Sequence, residues 1–410
     1  MWSSLALLTF FVSPSLQSAV AKQFAPLRFQ KDGTFQISIL EDLHFGENAW
    51  DSWGPEQDVN SVTVINRVLD AESPDLVVLN GDLITGDNAF LENSTVYMDE
   101  IVEPLVERGL TWASTYGNHD SAYNLSRAAL LAREHRWPNS RTKQMVSGRD
   151  AGVTNYYLPV YGADDKYSTK VPKMLLWFFD SRGGYYYQEL DSSGNEVAQP
   201  NWVDTSVVNW FKRTNAELVE KYRKQIPSLV FVHIPTNASQ AFQTQVGVNA
   251  HQEPGINDDY VLAQQGEGWC ADGSNDSSCE YGGQDVPFMK ALVETPGVIG
   301  VFSGHDHGDT WCYKWDTLIS GMSVKGNGIN LCFGQHTGYG GYGSWIRGSR
   351  QVLVTESKLQ QHEVDTWIRL ESGGVVGSVS LNATYGEDSY PSTPDQLSSC
   401  PTCNYTLESN

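Results

Sequence analysis

No run in this chain is both long and apolar enough to cross a bilayer: the stretch from Leu5 to Val12 falls well short of the ~20 residues a membrane helix requires. Basic residues are scarce. Lys and Arg together number 27 against 49 Asp and Glu, a formal charge of −22, and a surface of that sign repels polyphosphate backbones, so no nucleic-acid binding is expected. Cysteine is missing from everything before Cys270, which excludes thiolate metal sites from most of the chain. Internal repeats and low-complexity tracts are also absent, so a solenoid is not expected. With 40% hydrophobic residues in 410, there is ample material for one large core.

The N-terminus has the pattern of a secretory leader, although no Lys or Arg precedes its apolar run. Ala19-Val20-Ala21 forms a small-x-small cleavage pattern, which makes residues 1–21 a signal peptide. Six Asn-x-Ser/Thr sequons, at Asn93, Asn124, Asn237, Asn275, Asn382 and Asn404, fit glycosylated surface loops of a secreted protein. Six cysteines in an oxidising compartment imply three disulfides. Of the fifteen possible pairings, the local ones are Cys270 with Cys279, Cys312 with Cys332, and Cys400 with Cys403.

Short runs rich in Val, Ile, Leu and Phe end in Gly, Asp, Asn or His at Phe35 to Leu40, Leu76 to Asn80, Thr111 to Tyr116, Lys173 to Asp180, Ser228 to Val232 and Val298 to Ser303. These are buried strands. Helical spacing between them, as in Val59 to Ala71, Val96 to Val106, Leu125 to Arg136, Val207 to Lys224 and Val286 to Glu294, predicts an α/β fold with a largely parallel sheet covered on both faces. Residues 237–284, rich in Gly, Asn and Ser, break the rhythm and suggest a disulfide-stapled surface insertion. After Cys312 the helical pattern stops. Gln351 to Ser357, Glu363 to Leu370 and Val375 to Leu381 have hairpin spacing and are expected to complete a second sheet. The main domain is placed at 22–385 and an irregular tail at 386–410.

Five strand ends carry ligand-type side chains beside glycine: Glu41-Asp42-Leu43-His44-Phe45-Gly46, Asn80-Gly81-Asp82, Gly117-Asn118-His119-Asp120, Val232-His233-Ile234-Pro235, and Gly304-His305-Asp306-His307-Gly308. Loops beyond the carboxyl ends of strands converge in such folds. Two cations held a few Å apart repel, so they need a bridging carboxylate and terminal ligands that leave positions open. Asp, Asn and His supply that mixture and suit Fe, Mn or Zn better than Ca. Taken singly, Asp42, Asp82 and Asn118 could equally be turn or N-cap residues, and His233 a satisfied core histidine. Their number argues otherwise, since five of the nine histidines fall in these segments.

The ordered series Asp42-x-His44, Gly81-Asp82, Gly117-Asn118-His119-Asp120, His233 and Gly304-His305-x-His307 resembles the signature of calcineurin-like metallophosphoesterases. The segments Gly304 to Cys312 and His336 to Gly343 further resemble a secreted plant and fungal subgroup grouped with purple acid phosphatases. The resemblance implies a four-layer α/β/β/α sandwich of mixed sheets with helices on the outer faces. It also implies two divalent or mixed-valence transition metals, one held by Asp42, His44 and His307 and the other by Asn118, His233 and His305, with Asp82 between them. His119 would face the substrate as general acid or electrostatic clamp, and a metal-bridging hydroxide would attack phosphorus.

Two departures from the family pattern matter. Purple members carry a metal-bound Tyr where Thr85 stands here, so a colourless protein is expected. The Ser/Thr phosphatases place an Asp three residues after the bridging Asp, and here too that position is Thr85. The partner of His119 therefore stays open, with Asp87 and Asp120 as candidates. His336 either lines the substrate pocket or caps a turn. The functional expectation is a secreted phosphomonoesterase acting on a phosphorylated small molecule. The alternatives are a phosphodiesterase acting on nucleotides or phospholipid head groups, or a non-catalytic glycoprotein of the same fold.

Overall fold

The computed structural model describes residues 25–163, 171–259, 261–276 and 278–398; the leader at 1–21 and the Cys400 to Cys403 pairing lie outside these residues. Two mixed sheets face each other. The six-stranded sheet runs in the order Val375–Leu381, Val364–Leu370, Gly348–Thr355, Thr34–Leu40, Leu76–Asn80 and Trp112–Thr115, and the last three strands are parallel. The seven-stranded sheet runs Leu27–Arg28, Tyr156–Tyr161, Met174–Phe179, Ser228–Val232, Val298–Ser303, Ile329–Phe333 and Cys312–Trp315. Its centre, from Met174–Phe179 to Ile329–Phe333, is parallel.

Alternation along the strands builds three apolar layers. In Met174–Phe179, all of it buried, Leu176 and Phe178 point between the sheets with Ile37, Ile39, Val78 and Val352, while Leu175, Trp177 and Phe179 point the other way. A strand covered on both faces shows an unbroken apolar run, which is why these strands are legible. Aromatic rings tie the middle layer together, Phe178 lying 5.1 Å from Phe231 and Phe231 5.7 Å from Phe302. Truncating Phe178 to Ala would cost about 3–5 kcal/mol in such surroundings.

Helices close both outer faces. Thr205–Tyr222 and Val286–Glu294 cover the larger sheet through Phe211, Leu218, Phe288 and Leu292. Trp53–Ala71, Tyr97–Glu107 and Arg127–Glu134 cover the smaller through Ile65, Ile101, Leu105 and Leu130. The Thr205–Tyr222 helix is capped by Asp204, whose carboxylate accepts from the Ser206 N–H. The result is the four-layer α/β/β/α sandwich.

The C-terminal strands correct one expectation. They form no second sheet of their own, because Gly348–Thr355 pairs antiparallel with Thr34–Leu40 and so extends the sheet begun by the first strands. The other sheet comes from the middle of the chain. Two disulfides match the local pairings: Cys270 with Cys279, and Cys312 with Cys332 across adjacent strands. Residues 386–398 form neither helix nor strand, though Leu397 bridges to Trp345. Among the described residues no helix is long and apolar enough to cross a membrane.

Candidate metal centre

Every ligand-bearing loop leaves the carboxyl end of a parallel strand, at one edge of the gap between the sheets. Asp42 and His44 follow Thr34–Leu40, Asp82 follows Leu76–Asn80 and Asn118 follows Trp112–Thr115, all in the smaller sheet; His233 follows Ser228–Val232 and His305 and His307 follow Val298–Ser303 in the larger. The loops are laced by backbone hydrogen bonds. The Leu43 and His44 N–H groups both donate to the Asp82 carbonyl, at 2.8 and 3.0 Å. Asp42, His44, Asp82 and His305 adopt positive φ of 52°, 49°, 47° and 79°, a conformation unfavourable for side chains with a Cβ. Such outliers persist where the surroundings over-determine them. Gly117 is required by crowding, since a Cβ there would fall 2.2 Å from the Asp82 carboxylate.

Two triads of donor atoms lie within ion-binding range. Asp42, His44 and His307 form one, and Asp82, His233 and His305 the other, each with its ligand atoms within 4.8 Å of one another. They abut: His44 Nε2 is 3.8 Å from Asp82, and His233 Nε2 is 3.8 Å from Asp42 and 3.0 Å from Asp82. The outward nitrogens are fixed by the chain, His44 Nδ1 with Thr85 at 2.9 Å, His233 Nδ1 with the Asn80 carbonyl at 2.9 Å and His307 Nδ1 with the Tyr342 carbonyl at 2.8 Å. The ε nitrogens are left to face the centre, as in metal-ligating histidines. Asn118 Oδ1 is buried with no hydrogen-bond donor, and an oxygen in that state suits a cation. The donor set fits two transition-metal ions.

Electrostatics point the same way. Burial pushes the Asp82 carboxyl upward, but the imidazoles of His233, His119 and His44 hold it well below its usual range. Burial would neutralise His233, yet Asp82 and Asp42 raise it to about 10. Burial together with a neighbouring imidazole lowers His44, and takes His305 down to about 3. Two of the imidazoles thus offer free lone pairs, and His233 must shed a proton to become a ligand.

His119 sits at the rim, its side chain 36% exposed, with Nδ1 3.8 Å from Asp87 and its N–H donating to Asp82 at 2.8 Å. Asp82 and Asp87 outweigh burial and raise its imidazole. Among the described residues no hydrogen bond or ion pair joins Asp120 to that ring. Its carboxylate accepts from the N–H groups of Leu83, Ile84 and Gly117, clamping two ligand loops together. His336 is 1% exposed, 3.9 Å ring to ring from His307, and bonded to the Gly340 carbonyl; it is not among the residues lining the cavity at His119.

Tyr342 and Thr85 escape a reading from residue type, because each acts here by hydrogen-bonding a histidine. Tyr342 stacks on His307 at 4.0 Å, and its hydroxyl accepts from the His307 N–H while donating to Asp259. The glycines around it are the usable signal. A Cβ on Gly341 would come within 2.5 Å of His307 and 2.7 Å of His44, so that loop can pack on the ligands only without side chains.

The centre opens into a cavity of about 400 Å³ lined by Asn118, His119 and His305 together with Asp87, Tyr185, Gln199, Asn201, Glu267, Trp269 and Asn275. A larger groove of about 860 Å³, beside Trp137 and Arg141, touches none of the ligand residues.

Several known proteins resemble this chain. The chain is 29% identical over 364 residues to the probable inactive purple acid phosphatase 14 of Arabidopsis thaliana, covering 83% of this chain and 79% of that protein. It is 27% identical to phosphatase DCR2 of Saccharomyces cerevisiae over 83% of this chain and 54% of that one. Among solved structures it resembles a dimetal phosphatase from Danio rerio, with TM-score 0.47, 13% identity and coverage of 85% and 98% of the two chains. A yellow lupin seed purple acid phosphatase, PPD1, aligns with TM-score 0.41, 13% identity and coverage of 85% and 54%. The signature of the calcineurin-like phosphoesterases spans residues 39–309, which includes every triad residue, and the chain belongs to that family.

Proposed function

We propose that this chain is a secreted phosphoesterase that hydrolyses phosphate monoesters at a binuclear centre of Fe, Mn or Zn. Asp42, His44 and His307 would hold one ion, Asn118, His233 and His305 the other, with Asp82 shared. The single observation that carries the reading is the meeting of the two triads, each of which draws on both sheets, at the mouth of a cavity that also contains His119. Bound cations lower the pKa of water and neutralise phosphate charge.

The residues of the chain divide the remaining work. The cavity seats the ester with its leaving oxygen toward His119. As the water oxygen bonds to phosphorus and the ester P–O bond breaks, His119 supplies the proton that the departing oxygen needs. Asp87 beside it favours the imidazolium, and Asp120 keeps the Asp82 and Asn118 loops in register. With Thr85 in place of a metal-bound tyrosine, iron-loaded protein should show no visible charge-transfer band. Secretion is supported by the leader pattern at 1–21 and by the two disulfides.

Purified protein supplied with Mn or Zn should bind two ions per chain, cleave p-nitrophenyl phosphate, and cleave the bis-nitrophenyl diester far more slowly. Diester turnover equal to that of the monoester would favour the phosphodiesterase alternative. Binding of two metals with no turnover of either ester would leave a non-catalytic relative, and absence of bound metal would overturn the whole reading.

A further inference from the structure

Beyond the phosphoryl group, the cavity has a chemical character that none of its ligand residues explains. None of the described residues lining it is Lys or Arg. The guanidinium of Arg127 is buried and committed to the Gln199 side chain, the Gly117 and Gly183 carbonyls and Asp180. Two of the lining amides are also committed. Gln199 donates to Ser121 and to the Tyr185 carbonyl, while Asn201 donates to the Glu267 carbonyl and accepts from the Gly266 N–H.

What remains is anionic and aromatic. The Asp87 carboxylate is 43% exposed, with the His119 imidazole at 3.8 Å as its ionic neighbour. Glu267 is an exposed residue whose carboxyl is raised by partial burial, and that carboxyl has no ionic or hydrogen-bonding partner among the described residues. Tyr185 and Trp269 contribute aromatic surface, and Trp269 is fixed edge-on against Trp202 at 5.2 Å. A cavity with two carboxylates, two aromatic rings and no free cation disfavours a leaving group bearing further phosphate or carboxylate, and favours an ammonium.

Resting on the phosphoesterase reading above, we infer that the preferred substrate is a phosphate ester of an amino alcohol, its phosphoryl end at the two triads and its ammonium between Glu267, Asp87 and the aromatic pair. The charges are complementary along the ester: anion at the cationic centre, cation at the acidic wall. Asp87 stands beside His119, so a leaving group only a few bonds long brings its ammonium within reach.

The test compares phosphorylethanolamine with glycerol 3-phosphate, whose alcohol is neutral, on the metal-loaded full-length protein, with p-nitrophenyl phosphate as a third ester. The expected result is a kcat/KM ratio of at least about fivefold in favour of phosphorylethanolamine, the scale of one partly exposed ion pair with aromatic support. In Glu267→Lys, a change at an exposed position, that ratio should fall at least about fivefold. Cleavage of p-nitrophenyl phosphate with equal rates on the two alkyl esters would overturn this inference and leave the phosphoesterase reading standing. A preference that Glu267→Lys leaves intact would also overturn it. No turnover of any of the three esters would overturn both.

Discussion

Thr85 sets the behaviour of a ligand it never replaces. Its hydroxyl is the partner of His44 Nδ1, buried at 3% exposure, and such outer contacts orient an imidazole for its ion. Thr85→Val keeps the volume and removes the hydrogen bond. Metal affinity, followed by competition with a chelator, should drop about 10- to 100-fold while the fold is retained. His119 allows a sharper residue-scale prediction. His119→Ala should keep both ions and lose about 10²–10⁴ in turnover of an alkyl phosphate. The loss should be smaller for p-nitrophenyl phosphate, whose leaving group needs no proton; equal losses on the two esters would remove the acid role. At this scale the sequence was informative where chemistry resides in residue type: Asp42, His44, Asp82, His233, His305 and His307 form the two triads, and Asn118 lines the cavity with His305. It was uninformative where a residue acts through position. Nothing about Thr85 or Tyr342 announces a partner of histidine, and whether Asp120 faced His119 or the backbone could not be told before the loops were placed.

Among the elements, the segment 237–284 is latched at both ends by one carboxylate. Asp285, just before the Val286–Glu294 helix, accepts from the Asn237 N–H at 2.7 Å and from the Tyr281 hydroxyl at 2.5 Å. Burial raises that carboxyl from 3.8 to about 6. A raised folded-state value means that its contribution to stability is complete below about pH 3.8 and is lost as pH climbs through about 6. In that window wild-type stability should fall with pH more steeply than that of Asp285→Asn, by up to about 1.4 kcal/mol per pH unit, as urea titrations at several pH values would show. Parallel slopes would mean that the carboxyl titrates normally. The elements hidden from pattern reading share a cause. Tyr156–Tyr161 contains Pro159 and alternates buried with half-buried positions, while Cys312–Trp315 and Ile329–Phe333 are short strands flanked by glycine-rich loops. Those signals are weak beside unbroken runs such as Met174–Phe179.

For the whole molecule, the ligands' division between the two sheets makes the ions a cross-link as well as a reactant site. Asp42, His44, Asp82 and Asn118 belong to one sheet, and His233, His305 and His307 to the other. Anything bound only when both are docked stabilises the docked state, by about 2.7 kcal/mol per site at a free concentration 100 times the Kd. Chelation should therefore lower the thermal midpoint by several degrees, and the same treatment of Asp82→Ala should shift it little. A midpoint indifferent to chelation in the wild type would show that the triads do not take up metal. The sandwich class was legible because alternation of buried strands and amphipathic helices is local. The sheet membership of the last three strands was not, because hydrophobic pattern fixes which face a strand buries and leaves its neighbour open.

That neighbour has a consequence for biosynthesis. The first long strand, Thr34–Leu40, waits for Gly348–Thr355 to occupy one of its flanks, more than 300 positions later in the chain. Until then Ile37 and Ile39 sit on a ribbon with open hydrogen-bonding groups, a template for stray pairing with another nascent chain. A product cut short before Gly348 would hold every candidate ligand and still present that bare border, so premature termination should yield aggregates rather than a smaller enzyme.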